Sequence, residues 1–330
     1  MPSSQTLEQT EPSGAGARES RNDPTSAKKQ THISICVCTF RRPEMLAELL
    51  SGLMRQKTDE RFNFSIVVVD NDAGESARPM VERFRREQTI PIEYFVEREQ
   101  SIALARNLTV AKARGELVAF IDDDEVPSDD WLLTLHNGLE KYQADGVLGP
   151  VKPRFAVAPP KWILEAGVFD RPNSQNYATG MVLEAAQTGT GNALVRRSVF
   201  EQEEGPFRRQ FGSGGEDIDF FRRAMAKGKV FVWCDEAVAF ETVPQERTRV
   251  KFQVKRALLR GKVSLASPAG SVGGIAKSIV ACAMYTISLP VLLLMGRHLF
   301  VKYLIKNCDH LGKLLALCRV SVITEKYVLK

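Results

Sequence analysis

The sequence lacks several patterns by which nucleotide- and metal-binding proteins are commonly identified. Neither GxGxxG nor GxxxxGK(S/T) occurs in its 330 residues, which argues against a dinucleotide-binding turn and against a P-loop. Its four histidines are scattered and form no HExxH, so a metal site built from histidine is not expected. The six cysteines include no CxxC pair, which argues against structural zinc and favours reduced, mostly buried thiols in the cytosol.

A large excess of charge of one sign is also missing. The net charge is +5, from 45 basic and 40 acidic residues, so no nucleic-acid partner is expected. Hydrophobic residues make up 44% and charged residues 26%, which predicts a packed core large enough for an α/β domain with an appendage. Residues 1–31 are poor in large apolar side chains, and they predict a disordered tail without a secretory signal.

From residue 32 onward, short apolar runs alternate with helical patterns. The continuous run Phe64–Val69 is typical of a buried parallel strand, and Pro43 and Gly115 fit a helix start and a helix end. Strands alternating with helices over short connections predict an α/β fold with a doubly wound, mostly parallel sheet and helices on both faces. Strands are expected at 33–38, 64–69, 92–96, 117–121, 146–148, 193–196 and 230–234.

Polar side chains follow three of these predicted strands. Thr39 and Arg41 follow the first strand, Asp70 follows the second, and the acidic run Asp122–Glu125 follows the fourth. Open α/β sheets bind ligands at the carboxyl ends of their strands, so these residues are candidates for a binding site. Thr39 and Asp70 can also be read as ordinary turn residues.

Asp122 and Asp124 lie two residues apart in the acidic run. Two carboxylates at the exit of a strand can converge on one Mg²⁺ or Mn²⁺, because these cations prefer oxygen ligands. The alternative is an acidic turn that stabilises the start of a helix beginning near Ser128. The position at the end of a buried strand favours the metal.

Five segments stand in a characteristic order along the chain, namely Val37–Pro43, Val68–Asp72, Ile102–Asn107, Phe120–Glu125 and Gly215–Phe221. In this order they resemble family 2 glycosyltransferases of the GT-A fold, and most closely bacterial exopolysaccharide enzymes of the succinoglycan-assembly type. The resemblance covers about residues 32–260, and 261–330 lie outside it. It implies a nucleotide-binding half at about 32–150 and an acceptor half at about 151–260.

The resemblance also implies roles for individual residues. It implies nucleotide-sugar contacts by Thr39, Arg41, Asp70, Arg106 and Asp122, metal ligation by Asp122 and Asp124, and a catalytic base at Asp217. Arg106 can instead be a solvated helix residue or a partner for one of the acids, and Glu216-Asp217 an acidic helix start. Where relatives often carry a His before Glu241, this sequence has Phe240. The third metal ligand is therefore open between water, Glu241 and the donor's oxygens.

Three further residues are candidate acceptor contacts. Trp162 follows two prolines in a loop and is expected to be exposed, where it could stack on a sugar. Asn192 follows Gly191 and could hydrogen-bond the acceptor, and Glu216 could orient it.

The expected function is inverting transfer of a hexose from a nucleotide sugar, with UDP-sugars first, to a saccharide acceptor that is lipid-linked. The alternatives are a metal-dependent nucleotidyltransferase and a catalytically weak, sugar-nucleotide-binding scaffold.

The last seventy residues predict a helical region that associates with a membrane. Residues 247–277 contain eight basic residues and no acid, and residues 278–295 carry no charge. A simple span would export the basic residues that follow, against the positive-inside tendency. An interfacial segment or a re-entrant pair with Leu299–Cys318 is therefore expected, at the cytoplasmic face of the inner membrane. The alternative is a buried helix of the soluble domain.

Overall fold

The computed structural model describes residues 30–169, 177–201, 205–266 and 271–320. The expected tail therefore lies outside the described residues, except for its last two positions, and Thr31 is already the first residue of a strand. The strands are β1 (Thr31–Thr39), β2 (Phe62–Asp70), β3 (Ile92–Val96), β4 (Leu117–Ile121), β5 (Glu125–Pro127), β6 (Gly146–Leu148), β7 (Val151–Phe155), β8 (Asn192–Arg196), β9 (Phe231–Trp233) and β10 (Ala239–Val243). The helices are α1 (Pro43–Leu53), α2 (Arg78–Glu87), α3 (Ile102–Lys112), α4 (Trp131–Tyr142), α5 (Lys161–Ala166), α6 (Glu216–Ala226), α7 (Val250–Val263), α8 (Val272–Met295) and α9 (Arg297–Leu317).

The main sheet has seven strands in the order β3-β2-β1-β4-β8-β6-β9. Strands β1, β2, β3 and β4 are parallel, whereas β8 runs antiparallel to both of its neighbours. The prediction of a mostly parallel sheet is thus confirmed. The register places Thr39 opposite Asp70, so both strands end at the same edge of the sheet.

The two faces of the sheet bury different side chains because successive residues of a strand point to opposite sides. In β1, Ile33, Ile35 and Val37 belong to a core shared with α1, α2 and α4. Cys36 belongs to the opposite core, which contains residues of α3 and α6. In α1, apolar residues at helical spacing, such as Leu46, Leu49 and Leu53, are completely buried. The alternation therefore produces helices on both faces.

A second, three-stranded sheet has the order β5-β10-β7 and was not expected. Strand β10 is antiparallel to β5, which pairs Glu241 with Glu125. The backbone N–H of Thr242 also donates to the carbonyl of Asp124 at 2.7 Å. This sheet therefore brings β10 alongside the acidic turn that follows β4.

The C-terminal helices pack together, and the boundary expected after residue 260 falls inside α7. Helices α8 and α9 are antiparallel neighbours, since Thr286 bonds Asn307 while Ser278 bonds His310. Helix α8 is long and apolar enough to cross a membrane, and only 6% of its most apolar window is buried. The alternative of a buried helix of the soluble domain is therefore wrong, and the apolar side chains of α8 face outward.

Helices α7 and α9 approach each other through two glycines. A Cβ added at Gly261 would lie 2.1 Å from the carbonyl oxygen of Asp309. A Cβ added at Gly312 would lie 2.2 Å from the carbonyl oxygen of Leu258. Only hydrogen side chains fit at these two points, so the backbones are in direct contact.

Candidate active site

A pocket of about 1010 Å³ opens at the carboxyl ends of β1 and β4. Its walls come from the turn after β4, from the start of α6, from β10 and from α7. Small-molecule sites have volumes of roughly 300–1,000 Å³, so this space can hold a ligand as large as a nucleotide sugar. Among the predicted site residues, those lining it are Thr39, Arg106, Asp122, Asp124, Glu216 and Asp217.

The four acidic side chains of the turn after β4 differ in exposure and in what they contact. The Asp122 side chain is 43% exposed, whereas Asp123, Asp124 and Glu125 are buried. The Glu125 carboxylate accepts a hydrogen bond from the backbone N–H of Asp122 at 3.1 Å. It therefore holds the turn in shape, while Asp122 is the acid most open to a ligand.

Asp123 is held by the end of β1 and the residue before α1. Its Oδ2 accepts from the Thr39 hydroxyl at 2.8 Å, and its Oδ1 accepts from Arg42 Nη1 at 3.0 Å. Burial raises the pKa of Asp123 to about 6, although the charge of Arg42 acts in the opposite direction. Thr39 lines the pocket, but its hydroxyl is already engaged by this neighbouring carboxylate.

Arg106, on α3, links the acidic turn to the start of α6. Its Nη2 donates to Asp122 Oδ1 at 3.1 Å, and its Nη1 is paired with Glu216. Burial acts to lower the pKa of Arg106, but the charges of Asp122 and Asp217 outweigh it and raise the pKa above its ordinary value. Arg106 is thus a buried partner for acids that also lines the pocket.

Glu216 and Asp217 are the first two residues of α6, which begins after Gly215 at φ 86°. Glu216 is buried, and its Oε2 has no hydrogen-bond partner among the described residues. Asp217 is half-buried, and its Oδ1 accepts from the backbone N–H of Ile218 at 2.8 Å. Both acids are favoured at a helix N-terminus, and both line the pocket.

Arg247 bridges two acids on the other side of the pocket. Its Nη2 donates to Asp124 Oδ2 at 2.8 Å and its Nη1 to Glu241 Oε1 at 2.6 Å. Asp124 Oδ2 also accepts from Arg42 Nη1 at 3.1 Å. Burial and the charge of Asp124 raise the pKa of Glu241, and Arg247 acts in the opposite direction. A fixed positive charge therefore lies beside one predicted metal ligand.

Asp70 and Arg41 are not among the pocket-lining residues. Asp70 is completely buried and accepts from the backbone N–H groups of Asp72 and Ala77 and from the Tyr94 hydroxyl. Burial raises its pKa, and these hydrogen bonds act to lower it. Arg41 is 63% exposed and donates to Asp72. The neighbouring Asn71 does line the pocket, and its amide orders the loop before α3.

Two predicted acceptor residues are packed inside the protein. The expectation that Trp162 is exposed is wrong, because it is only 5% exposed and packs in an apolar cluster with residues of α7 and α9. Asn192 is 1% exposed. Its amide accepts from Trp131 Nε1 and donates to the carbonyls of Pro150 and Ala237, so no group is left for a sugar. Both residues have structural positions in this fold.

Sequence reasoning missed Arg42, Asp123, Arg247 and Arg256, all of which line the pocket. Arg42 and Asp123 lie inside motifs that were recognised, so a signal for them was present. Arg247 and Arg256 belong to the basic run 247–277, whose composition predicts only a membrane-binding segment. Their position depends on β10 and α7 folding back over the acidic turn.

The carboxylates of Asp122 and Asp124 fit a hard divalent cation, because both are oxygen donors that line one pocket. No cluster of three or more His, Cys, Asp or Glu side chains with metal-site geometry exists among the described residues. Two carboxylates would leave positions on such a cation for other oxygen ligands.

A family model described as Glycosyl transferase family 2 matches residues 34–204. The succinoglycan biosynthesis protein ExoM of Rhizobium meliloti (strain 1021) is 37% identical over 235 residues, which cover 70% of this chain and 73% of that protein. The chain belongs to glycosyl transferase family 2. This glycosyltransferase is also 24% identical over 247 residues to the hyaluronan synthase of Pasteurella multocida, a match that spans 24% of that longer protein.

Solved structures show the same fold for this glycosyltransferase. The mannosyltransferase PcManGT from Pyrobaculum calidifontis, in complex with GDP-Man and Mn²⁺, superposes with a TM-score of 0.58. The superposition covers 87% of this chain and 88% of that one at 17% sequence identity. The GT-A fold implied by the resemblance is therefore confirmed, and family membership excludes the nucleotidyltransferase alternative.

Proposed function

We propose that this glycosyltransferase moves a hexose from a nucleotide sugar to a lipid-linked saccharide, with inversion at the anomeric carbon, in bacterial exopolysaccharide synthesis. The observation that carries the proposal is that Asp122, Asp124, Arg106 and Asp217 line one pocket at the carboxyl edge of the sheet. The similarity to ExoM, a succinoglycan biosynthesis protein, supports an exopolysaccharide product. A UDP-sugar is the donor to test first.

Asp217 is the group proposed to take the acceptor proton. Its Oδ1 is engaged by the backbone of Ile218, and it makes no other hydrogen bond within the described part of the chain. In a single displacement, the acceptor oxygen forms a bond to the anomeric carbon as its proton passes to Asp217. The bond from that carbon to the diphosphate oxygen breaks, and its electron pair leaves with the nucleoside diphosphate.

The leaving diphosphate gains negative charge, which must be balanced. A divalent metal held by Asp122 and Asp124 would neutralise that negative charge as a Lewis acid. Arg106 keeps Asp122 in place through its 3.1 Å hydrogen bond and adds a buried positive charge next to it. Arg42 and Arg247 likewise fix the direction in which Asp124 points.

Helices α8 and α9 are proposed to hold the enzyme at the cytoplasmic face of the membrane. The exposed apolar residues of α8 include Ile287 at 78% and Leu294 at 89% exposure, which is unfavourable in water. The exposed basic residues of this run, such as Lys251 and Lys277, would then face anionic lipid head groups. This location would bring a lipid-linked acceptor close to the pocket.

The proposal is tested by calorimetric binding and donor hydrolysis with UDP-, GDP- and dTDP-sugars in Mn²⁺, Mg²⁺ or EDTA. We expect Asp124→Ala to abolish metal-dependent nucleotide binding. Asp217→Asn should bind normally but lose turnover by about 10²–10⁴-fold, the usual contribution of a general base. Asp129→Asn is the control, since Asp129 is a half-exposed carboxylate paired with Arg55. Failure of every nucleotide sugar to bind would overturn the proposal.

A further inference from the structure

One stripe of α7 forms a wall of the pocket. Its residues are spaced by three or four positions, which places them on one helix face. They are Phe252, Arg256, Leu259, Arg260 and Val263. The stripe is therefore apolar except for two guanidinium groups, which lie one helical turn apart.

Arg256 has no protein partner on this wall. It is half-buried and makes no hydrogen bond or ion pair with any residue that the structure describes. Burial lowers its pKa, and the charge of Glu241 only partly compensates. A buried charge without a partner is costly, so such a side chain in a pocket indicates an anionic ligand.

Arg260 lies one turn further along, near the end of α7. Its Nε and Nη2 donate to Asp309 of α9 at 3.0 and 2.9 Å, and its side chain is 50% exposed. Cβ atoms at this spacing are about 5–6 Å apart. The Arg260 guanidinium is already paired with Asp309, so it places a second positive charge near Arg256 rather than a free set of donors.

Apolar side chains flank these arginines on the wall of the pocket. Val168 and Phe169 line the pocket together with Leu259 and Val263. Helix α7 packs on α9, which in turn packs on the exposed apolar helix α8. A ligand that fits here carries its phosphates next to a hydrocarbon chain.

We propose that Arg256, with Arg260 beside it, binds the diphosphate that joins lipid to saccharide in an isoprenoid-type acceptor. This inference rests on the lipid-linked acceptor of the proposed function and assigns it a site. The donor's diphosphate is the other possible source of the same chemistry. In the proposed function, Asp122 and Asp124 would account for that group through a metal, whereas no hydrogen-bond or ion-pair partner among the described residues accounts for Arg256.

The test uses the full-length protein in detergent and three probes: farnesyl diphosphate, farnesol and inorganic diphosphate. Binding is measured by calorimetry in EDTA, with wild type, Arg256→Gln, Arg256→Lys and the control Lys251→Gln. Lys251 is exposed on the same helix and does not line the pocket. Binding of UDP with Mn²⁺ is measured on the same samples and reports on the donor site separately.

We expect wild type to bind farnesyl diphosphate at least about tenfold more tightly than either other probe. Arg256→Gln should lower the affinity for farnesyl diphosphate about tenfold, Arg256→Lys should lower it less, and Lys251→Gln should not change it. A tenfold loss corresponds to about 1.4 kcal/mol, as expected for one charged contact. UDP binding should be unchanged in all three variants. Equal affinity for inorganic diphosphate would overturn the lipid assignment. Loss of UDP binding in Arg256→Gln would assign Arg256 to the donor instead. Unchanged farnesyl diphosphate binding would overturn the site.

Discussion

Arg247 Nη2 donates a hydrogen bond to Asp124 Oδ2 at 2.8 Å, and both side chains are at least nine-tenths buried. The same guanidinium also binds Glu241, so it joins two acids that approach from different sheets. The protein thus provides a positive charge beside Glu241, which is one of the candidates for the third metal ligand. A metal ion bound at Asp124, as proposed, would therefore share the negative charge of that carboxylate with Arg247.

Replacing Arg247 by Gln is expected to weaken the fold and strengthen metal binding. Removing one partner of a buried ion pair costs about 3–5 kcal/mol, so the free energy of unfolding in EDTA should fall by that order. Mn²⁺ should bind roughly tenfold more tightly, because a nearby like charge is removed. Thermal unfolding and calorimetric Mn²⁺ titration provide the measurements.

The control for this change is Arg55→Gln. Arg55 pairs with Asp129 on the surface, where both side chains are about half exposed. Its loss should change stability by less than about 1 kcal/mol and leave Mn²⁺ affinity unchanged. Weaker Mn²⁺ binding by Arg247→Gln would show that Arg247 supports the metal rather than competing with it.

Replacing Asp70 by Asn is expected to destabilise the protein in a pH-dependent way. An amide cannot accept all three hydrogen bonds that Asp70 accepts, so about 1–3 kcal/mol should be lost. Burial raises the pKa of Asp70 in the folded protein above its ordinary value of 3.8. The stability that protonated Asp70 contributes is therefore fully present below pH 3.8 and is lost as pH rises through the raised pKa. The difference from Asn should therefore be largest in acid.

Urea denaturation at several pH values checks this expectation. Tyr94→Phe is the companion variant, since it removes one of the three donors and keeps the ring. Its cost should be about 1 kcal/mol. A stability difference that grows with rising pH would contradict the raised pKa.

Asn192→Ala is expected to affect folding rather than acceptor binding. It would leave Trp131 Nε1 and two buried carbonyls without their hydrogen-bond partner, at a cost of about 1–3 kcal/mol or more. Asn137→Ala, which removes an exposed hydrogen bond to Arg61, should cost well under 1 kcal/mol. Denaturation curves of the two variants provide the measurement. If Asn192→Ala has normal stability and a raised KM for the acceptor, the acceptor role predicted from the sequence is supported instead.

Gly312→Ala is expected to force α9 away from α7. The added Cβ would lie 2.2 Å from the Leu258 carbonyl oxygen, which backbone atoms cannot accommodate without movement. Overpacking of this kind costs about 1–3 kcal/mol. Gly273→Ala in α8 meets nothing within 4 Å and should be neutral or slightly stabilising, as helix propensity favours Ala by about 1 kcal/mol. Equal melting temperatures for the two variants would contradict the close crossing.

The sequence predicted the central strands because each is a short, distinct apolar run with a helix after it. The sequence does not predict strands β5 and β7, because each contains a proline, Pro127 or Pro153, and they are only three and five residues long. Short segments that contain proline are more typical of loops. The antiparallel direction of β8 depends on how a long connection folds back, which local pattern does not encode.

The candidate site was predictable to the extent that its residues lie within one turn. Asp122 and Asp124 share such a turn and were recognised. Arg247 lies 123 residues from Asp124 along the chain, so only the folded structure brings them together. The burial of Trp162 and Asn192 could not be predicted for a related reason. A residue beside Pro or Gly can still be covered by a helix or strand that is distant in the sequence.

The antiparallel pairing of α8 and α9 has a consequence for the path of the chain. Ser278 contacts His310 and Tyr285 contacts Tyr303, so the first residues of α8 lie beside the last residues of α9. The chain therefore leaves the candidate site and returns to the same side after about forty-five residues, counted from α8 to α9. If the turn at Gly296 enters a bilayer, a reporter group attached at the exposed Cys318 is expected in the same compartment as the candidate site, whatever the depth of insertion.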